Sequence, residues 1–332
     1  MRYQFITAAL ITAVSGHGVV TSVEGANGVS MPGLSVADGT PRDCSSNRCG
    51  SQADTSIIRD SEIESGEVGP LGRTEGNGPV DASVIISNFM GAANGAANAP
   101  PVNNGTGTGV EDDIPDNIGE AKRRRAALAT RRAAHRQPTR KRQLGKLLGG
   151  LGGGGGGGGA GGVLGGLFGG GGEGDAEGTK SEQPQELSVA QTAGEGSTAG
   201  LPTASDDGVV TLMYRQINQD GAGPLTADVD GTSGGTDAAA FQTADVAADV
   251  PGIGFGGLSL ATNTDFPVQV QMPAGMTCDA SVGGADNVCI VRVRNSAGAG
   301  PFGGSGAFTQ TAAARKRAIA YRLKKRMAAG RK

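Results

Sequence analysis

Residues 206–224 read DDGVVTLMYRQINQDGAGP, and this stretch decides the class of the fold. Between residues 209 and 217 the side chains alternate between two sets, one of which contains Val209, Thr211, Met213, Arg215 and Ile217. A period of two places neighbouring side chains on opposite faces of a β-strand. The run 219–224 is rich in Asp, Gly and Pro, as turns are. The stretch therefore predicts a strand followed by a turn.

Similar short segments recur along the chain. Apolar residues at period two mark strand candidates at 266–272 and 288–294, and further candidates lie at 18–23, 241–247 and 257–261. Several short strands separated by Gly- and Pro-containing turns indicate a mainly β protein with a β-sandwich-like core.

Two short helices are predicted over 54–63 and 81–90. Asp54 and Asp81 begin them, because an aspartate at this position accepts hydrogen bonds from first-turn amides. A glycine follows each segment, as is common at helix ends. Ile85, Ile86, Phe89 and Met90 form one apolar stripe, so the second helix is expected to pack on the core.

Composition divides the chain into ordered and disordered parts. Large side chains are scarce, with 61 Gly, no Trp, 3 Tyr and 8 Phe in 332 residues. Residues 17–91 and 206–310 are predicted to form one ordered domain. Residues 92–205 are predicted to be a disordered insert, because an Arg-rich run (122–146) and a Gly tract (149–172) offer nothing for a core.

The first sixteen residues have the features of a secretory signal peptide. Arg2 precedes an apolar run and then small residues, and the run is too short to cross a bilayer. Cleavage fits after Ser15 or after Gly16, and the second position makes His17 the N-terminal residue. The sequence therefore predicts a secreted protein, extracellular or at the cell surface.

Four cysteines fit an exported chain, because an even number in an oxidising compartment favours disulfides. Turn-forming residues between them favour the local pairs Cys44 with Cys49 and Cys278 with Cys289 over the two other connectivities. Asn104 begins an Asn-Gly-Thr sequon in a Gly- and Asn-rich stretch. This pattern predicts a glycosylated, exposed loop.

Charge is segregated along the chain. The net charge is -3, but the run 122–146 and the end of the basic tail (311–332) hold twenty of the 29 Lys and Arg residues and no acid. The rest of the chain contains the remaining nine Lys and Arg residues and all 32 Asp and Glu residues. An acidic body argues against nucleic acid as a partner.

The basic segments have two interpretations. Pairs of basic residues resemble kexin-type processing sites, with cleavage after Arg132, Arg142, Arg317 or Arg326. Alternatively the segments attach to an anionic polymer or membrane surface. The tail also has Ile319, Leu323 and Met327 one turn apart, which predicts a basic amphipathic helix.

Six blocks of sequence carry a resemblance to a known family. They are QADTSIIRD (52–60), GPLGR (69–73), GPVD (78–81), QINQDGAGP (216–224), TDFP (264–267) and AGPFGG (299–304). In this order they resemble the fungal Egh/Mas/Gas-type appressorium-associated cell-surface proteins. The resemblance implies a secreted or surface-bound fungal protein linked to the structure that penetrates a host. It implies no settled enzymatic activity and points to the fungal cell wall or a host surface as partner.

Copper is the one cofactor that the sequence suggests. An N-terminal His17 can supply half of a histidine brace, in which a second histidine completes the coordination. The other histidine, His135, lies in the Arg-rich run, and Tyr214 and Arg215 stand where relatives are expected to have a second one. The prediction is therefore a non-enzymatic protein without cofactor, with a copper-dependent oxidase acting on a wall or cuticle polymer as the alternative.

Other enzyme motifs are weak. GIGFGG (252–257) fits a dinucleotide fingerprint but lacks the βαβ context. GTSGG (231–235) fits a nucleophile elbow, but no histidine follows it in the chain. The carboxylates of Asp206, Asp207 and Asp265 have no spacing that separates a glycosidase pair from ordinary loop acids.

Overall fold

The structure, a computed structural model, describes residues 17–45, 49–92, 99–103, 175–181, 183–219, 221–252, 259, 261–298 and 300–329. These residues belong to one compact unit. The predicted signal peptide, the Arg-rich run and the Gly tract lie outside the described residues and stay predictions.

Fourteen strands build the described part of the chain. In chain order they are β1 Gly18–Glu24, β2 Ser30–Pro32, β3 Ser56–Ile57, β4 Arg73–Thr74, β5 Gly78–Pro79, β6 Thr179–Lys180, β7 Thr203–Ala204, β8 Val209–Gln216, β9 Thr226–Asp230, β10 Phe241–Ala248, β11 Thr264–Gln271, β12 Ala280–Val282, β13 Ala285–Arg294 and β14 Phe302–Gln310. The described helices are α1 Asp60–Glu64, α2 Ala82–Phe89, α3 Ser188–Gln191, α4 Gly196–Ala199 and α5 Ala312–Ala329, with a 3-10 turn at Ala238–Ala240.

Most of the strands lie in two antiparallel sheets that share β10. The first sheet has the order β2-β1-β8-β11-β10, and the second has the order β10-β9-β13-β14-β3-β4-β5. The first half of β10 pairs with β9, and its second half pairs with β11. The mainly β, sandwich-like fold expected from the sequence is confirmed.

The inner core lies between the two sheets. Val20, Leu212 and Val268 of the first sheet pack in one buried cluster with Val229, Val291 and Phe308 of the second. Strand β1 lies close against β14 where β14 is rich in glycine. A Cβ atom on Gly306 would lie 2.2 Å from Cγ2 of Val23, so a larger residue would push the two sheets apart.

An outer layer covers the other face of the second sheet. It is made of the described residues between 33 and 92, which include the edge strands β3, β4 and β5 of that sheet, and of residues 183–201. Successive residues of β13 alternate between the two sides, with Val291 in the inner core and Ile290 under the outer layer. The apolar stripe of α2 packs there, in a cluster that also contains Leu34 and Val189. The second sheet is therefore buried on both faces, which explains the near-continuous apolar run in β13.

Most of the predicted elements of the ordered parts are present. Strands β1, β8, β10, β11 and β13 confirm the candidates at 18–23, 209–217, 241–247, 266–272 and 288–294. Most of the candidate at 257–261 lies outside the described residues. Helix α2 confirms the prediction over 81–90, and the Asp81 carboxylate accepts a hydrogen bond from the Ser83 amide at 2.8 Å.

The predicted helix over 54–63 is wrong for most of its length. Ser56 and Ile57 form β3, which pairs with β14, and helix α1 begins only at Asp60. The Asp54 carboxylate does not cap a helix, because two hydrogen bonds from the buried Arg42 guanidinium occupy it. A distant arginine thus overrides the local capping signal.

The predicted disordered insert, 92–205, is too long. Residues 175–181 and 183–205 carry β6, α3, α4 and β7, and the side chains of Val189 and Leu201 are buried. Residues 99–103 are also described, and Asn103 donates to the Gly50 carbonyl at 2.9 Å. Residues 175–181 gain their order where β6 pairs with β11, and residues 183–205 gain theirs from contacts with residues 33–92 and with β14.

Both predicted disulfides, Cys44–Cys49 and Cys278–Cys289, are present. The tail forms helix α5 as predicted. None of the helices in the described ranges is long and apolar enough to cross a membrane.

Candidate functional site at the His17 end of the sandwich

His17 lies at one end of the sandwich and is 3% exposed. Its backbone nitrogen donates to Oδ1 of Asn218 at 3.0 Å, and Nδ2 of Asn218 lies 3.3 Å from the ring Nδ1. The imidazole stacks on Phe302 with ring centroids 4.3 Å apart. His17 is therefore held through its backbone, its ring edge and its ring face.

Strand pairing places His17 there. Gly18 pairs with Gln216, so the start of β1 lies beside the end of β8 and the turn after it. The Ile217 amide donates to the His17 carbonyl at 3.1 Å. Gly221 lies so close that a Cβ would be 1.9 Å from this carbonyl oxygen, which is why only glycine fits. The block 216–224 of the resemblance thus wraps around the first residue of the ordered domain.

Tyr214 supports the same turn from below. Its hydroxyl donates to the Gly221 carbonyl at 3.1 Å, and its ring lies against Gly18, leaving no room for a side chain there. Burial, followed by the charge of Asp249, raises the pKa of Tyr214 above its ordinary value. The phenol therefore stays protonated and keeps its role as donor at any physiological pH.

An ion pair lies next to this turn. Nε and Nη2 of Arg215 donate to the two oxygens of Asp265 at 2.7 and 2.8 Å, a bidentate geometry that fixes both side chains. Nη1 of Arg215 also donates to the Arg42 carbonyl at 3.5 Å. Asp265 belongs to the TDFP block, and Arg215 directly precedes the block 216–224. The two blocks meet where Thr264 of β11 pairs with Gln216 of β8.

Arg42 is the centre of a second, buried cluster. Its guanidinium donates to both oxygens of Asp54, at 3.0 and 2.5 Å, and to Oε2 of Glu186 at 3.0 Å. Burial alone would lower the pKa of Arg42, but the two carboxylates raise it above its ordinary value. Burial would likewise raise the pKa of Glu186, but the charge of Arg42 and hydrogen bonds from Ser188 hold it below its ordinary value. Arg42 and Glu186 are therefore both charged.

These contacts hold the charged side chains at this end of the sandwich in fixed positions. Its ionisable groups, Arg215, Asp265, Arg42, Asp54 and Glu186, each have a charged partner. Among the described residues there is no group of three or more His, Cys, Asp or Glu side chains able to hold a metal ion. In the described ranges His17 contacts the side chains of Asn218 and Phe302, and His135 lies outside these ranges. Copper binding at His17 stays a prediction.

A separate cavity of about 200 Å³ opens on the outer layer. It lies between the β4–β5 hairpin and the start of α2, and its polar lining includes Ser35, Asn77 and Asp81. Its volume is below the several hundred Å³ typical of sites for larger ligands.

The other predicted residues do not gather at one place. Arg317 and Arg326 lie on α5, whereas Asn104, Arg132 and Arg142 lie outside the described residues, so these predictions stay open. Ser233 of the GTSGG motif donates its hydroxyl to Asp230, whose carboxylate also accepts from the backbone amides of Thr232, Ser233 and Gly235. The motif is thus a loop organised by Asp230.

Sequence reasoning missed the Arg42 cluster. Its members are far apart in the chain, and Glu186 lies in the region assigned to disorder. The one available signal was Asp54, a member of the first resemblance block, which sequence reasoning assigned to a helix cap.

The fold and this site define a disulfide-containing β-sandwich protein in which the blocks 216–224, 264–267 and 299–304 meet at the His17 end. A family model described as Egh16-like virulence factor matches residues 15–303, and the chain belongs to this family. The chain is 48% identical over 322 residues to the appressoria-specific virulence factor GAS2 of Pyricularia oryzae, covering 97% of this chain and 92% of that relative. It is 37% identical over 129 residues to the appressoria-specific virulence factor GAS1 of the same fungus, covering 38% of this chain and 50% of that relative. No solved structure matches.

Proposed function

We propose that the protein is secreted and acts, without catalysing a reaction, at the surface of a fungal infection structure during host penetration. The observation that carries this proposal is the 48% identity to an appressoria-specific virulence factor along 97% of the chain. Identity of this extent covers both sheets, the outer layer and the His17 end, so the two proteins share the whole domain.

Two further features support secretion. Both cystine bridges are formed, and Cys278 and Cys289 are fully buried in the inner core. Disulfides of this kind persist in oxidising compartments and are rare in the cytosol. The predicted signal peptide and the sequon at Asn104 point the same way.

The non-enzymatic part of the proposal is supported by how the charged groups are used. Arg42 and Arg215 are each held by carboxylates, and Tyr214 is a buried hydrogen-bond donor. These side chains are buried, and their contacts stabilise the fold. The proposed partner is therefore the fungal cell wall or a host surface.

The test uses two strains of the fungus that produces the protein. One strain expresses it with a fluorescent tag, and the other lacks its gene. Fluorescence is expected at the surface of the infection structure, and the deletion strain is expected to differentiate that structure but to penetrate the host poorly. An Arg42→Met allele tests whether the folded domain is needed, with Arg59→Met as the matched control. Retention of the full-length, reduced protein in the cytosol would contradict the proposal.

The copper alternative is tested separately on the secreted protein. Metal analysis and mass spectrometry of the N-terminus are expected to find no stoichiometric copper. One tightly held copper together with a free His17 amine would overturn the non-enzymatic part of the proposal and leave the localisation intact.

A further inference from the structure

Helix α5 is attached to the sandwich by its N-terminal half. Thr311 begins it, because its hydroxyl oxygen accepts a hydrogen bond from the Ala314 amide at 3.1 Å. The same hydroxyl donates to Asp206 at 2.6 Å, which ties the helix start to the loop before β8. Ala314 and Ala318 are buried, so this side of the helix lies on the protein.

Two arginines fix the orientation of the helix. Arg315 donates to the Cys278 carbonyl at 2.5 Å and to the Asp279 carboxylate at 2.6 Å. Nε of Arg322 donates to the Gly275 carbonyl at 2.5 Å, and Nη2 donates to the Thr277 hydroxyl at 2.9 Å. Loop 275–279 therefore grips the helix at two points two turns apart, and the direction of its other faces is set.

The opposite face of the helix is apolar and uncovered. Ile319, Leu323 and Met327 are 44%, 53% and 63% exposed. They are four residues apart and form one stripe. At about 100° per residue this stripe lies on roughly the opposite side from Ala314 and Ala318. Three large apolar side chains that point outward in one stripe are typical of an interaction site.

Basic residues surround this stripe. The helix contains no acid, and its Lys and Arg residues are Arg315, Lys316, Arg317, Arg322, Lys324, Lys325 and Arg326. An apolar stripe bordered by cations is the arrangement of helices that lie in the interface of a membrane, with the apolar side chains among the acyl chains and the cations at the headgroups.

We propose that the outward face of α5 docks the protein on an anionic lipid membrane. The helix inserts Ile319, Leu323 and Met327, while Lys316 and Lys324 bind the headgroups. Charge alone would suit an anionic polymer or nucleic acid equally well, but neither would cover the apolar stripe. The acidic body favours this orientation, because repulsion from the lipid keeps it on the solvent side of the helix. The inference does not depend on the proposed role in infection.

The test uses the mature full-length chain, with an intact C-terminus verified by mass spectrometry. Co-sedimentation is measured with vesicles of phosphatidylcholine alone and of phosphatidylcholine containing phosphatidylserine. We expect binding only to the second kind. Leu323→Gln with Met327→Gln should weaken the partition constant about ten-fold through the lost apolar burial. Lys316→Gln and Lys324→Gln should weaken it about five-fold each.

Leu187→Gln is the matched control, since Leu187 is 48% exposed and follows Glu186 of the Arg42 cluster, whereas α5 is bound to Asp206 and to loop 275–279. It should bind as the parent does. All altered side chains are exposed, so equal thermal unfolding of parent and variants shows that the fold is intact. Three results would each overturn the proposal. The control variant loses as much vesicle binding as the variant changed at Leu323 and Met327. The protein binds heparin or polygalacturonate, and the changes at Leu323 and Met327 leave that binding untouched, or it self-associates through the stripe and does not bind vesicles.

Discussion

The inner core and the outer layer use different means to order the chain. The inner core is apolar and is built from strands whose own period of two directs side chains such as Leu212 inward. The outer layer is made of short elements and loops around a smaller apolar cluster, and Arg42 links its parts by binding Asp54, 12 positions away, and Glu186, 144 positions away. Local patterns are therefore enough to define the inner core, whereas the outer layer also depends on long-range polar contacts.

The two regions also differ in how completely their polar groups are paired. In the outer layer the hydroxyls of Ser35, Thr55 and Ser56 and both amide atoms of Gln52 are buried and lack a hydrogen-bond partner in the structure. Unpaired buried polar groups cost free energy. Thr203, Gln216 and Ser305, on β7, β8 and β14, also have one such atom each, so most but not all of these groups lie in the outer layer. We therefore expect the outer layer to be the region more sensitive to loss of a charged partner.

The largest expected effect comes from Arg42→Met. The variant leaves two buried carboxylates without their cation and should lower the free energy of unfolding by about 5 kcal/mol. Chemical denaturation at neutral pH measures it. Arg59→Met is the matched control, because Arg59 is only partly buried, pairs with Glu62 and donates to the Gly300 carbonyl, and the change should cost about 2 kcal/mol or less. Equal effects of the two changes would show that the buried cluster does not hold the outer layer.

A core truncation, Leu212→Ala, should have an intermediate effect. Leu212 is fully buried in the inner core, so the change should lower the free energy of unfolding by about 3 kcal/mol. Leu323→Ala, at an exposed position, should change it by less than about 0.5 kcal/mol. If Leu212→Ala cost no more than Leu323→Ala, the two sheets would not be packed as described.

The smallest expected effect is a dependence of stability on pH. Because the pKa of Glu186 is lower in the folded protein than in the unfolded chain, its ion pair stabilises the fold above about pH 4.3, the ordinary pKa of a glutamate. This stabilisation is lost as the pH falls through the folded-state pKa. As the pH is lowered from 7 to 3, the denaturation midpoint should fall less steeply for Glu186→Gln than for the parent protein. Identical slopes would exclude Glu186 as a contributor.

The sequence predicted the fold where the signal was local. Strands β8, β11 and β13 carry clear alternation, and α2 has both a cap and a stripe. Two central strands were missed for physical reasons. Strand β9 is five residues long and contains two aspartates, one bound to Arg292 and the other organising the next loop. Strand β14 contains three glycines, which weaken its strand signal but admit β1 at close range.

The candidate site was predicted only in part. His17 and the block 216–224 were recognised, and the structure brings them together. The contacts to Phe302 and Asn218 could not be predicted, because they follow from which strands are neighbours in the sheets. The sequence of residues 183–201 predicted disorder, because their order depends on contacts with Arg42 and with the rest of the outer layer. Such contacts leave no periodic pattern in the sequence.

Strand pairing has a consequence for a chain cut by a processing protease at Arg132 or Arg142. Strand β1 would belong to one fragment and its partner β8 to the other, and β3 and β14 would be divided in the same way. Each cystine lies within a single fragment, so no covalent bond would join the two. Such a protein would migrate as one species under native conditions and as two bands in denaturing electrophoresis without reductant. It would be a heterodimer produced from one gene.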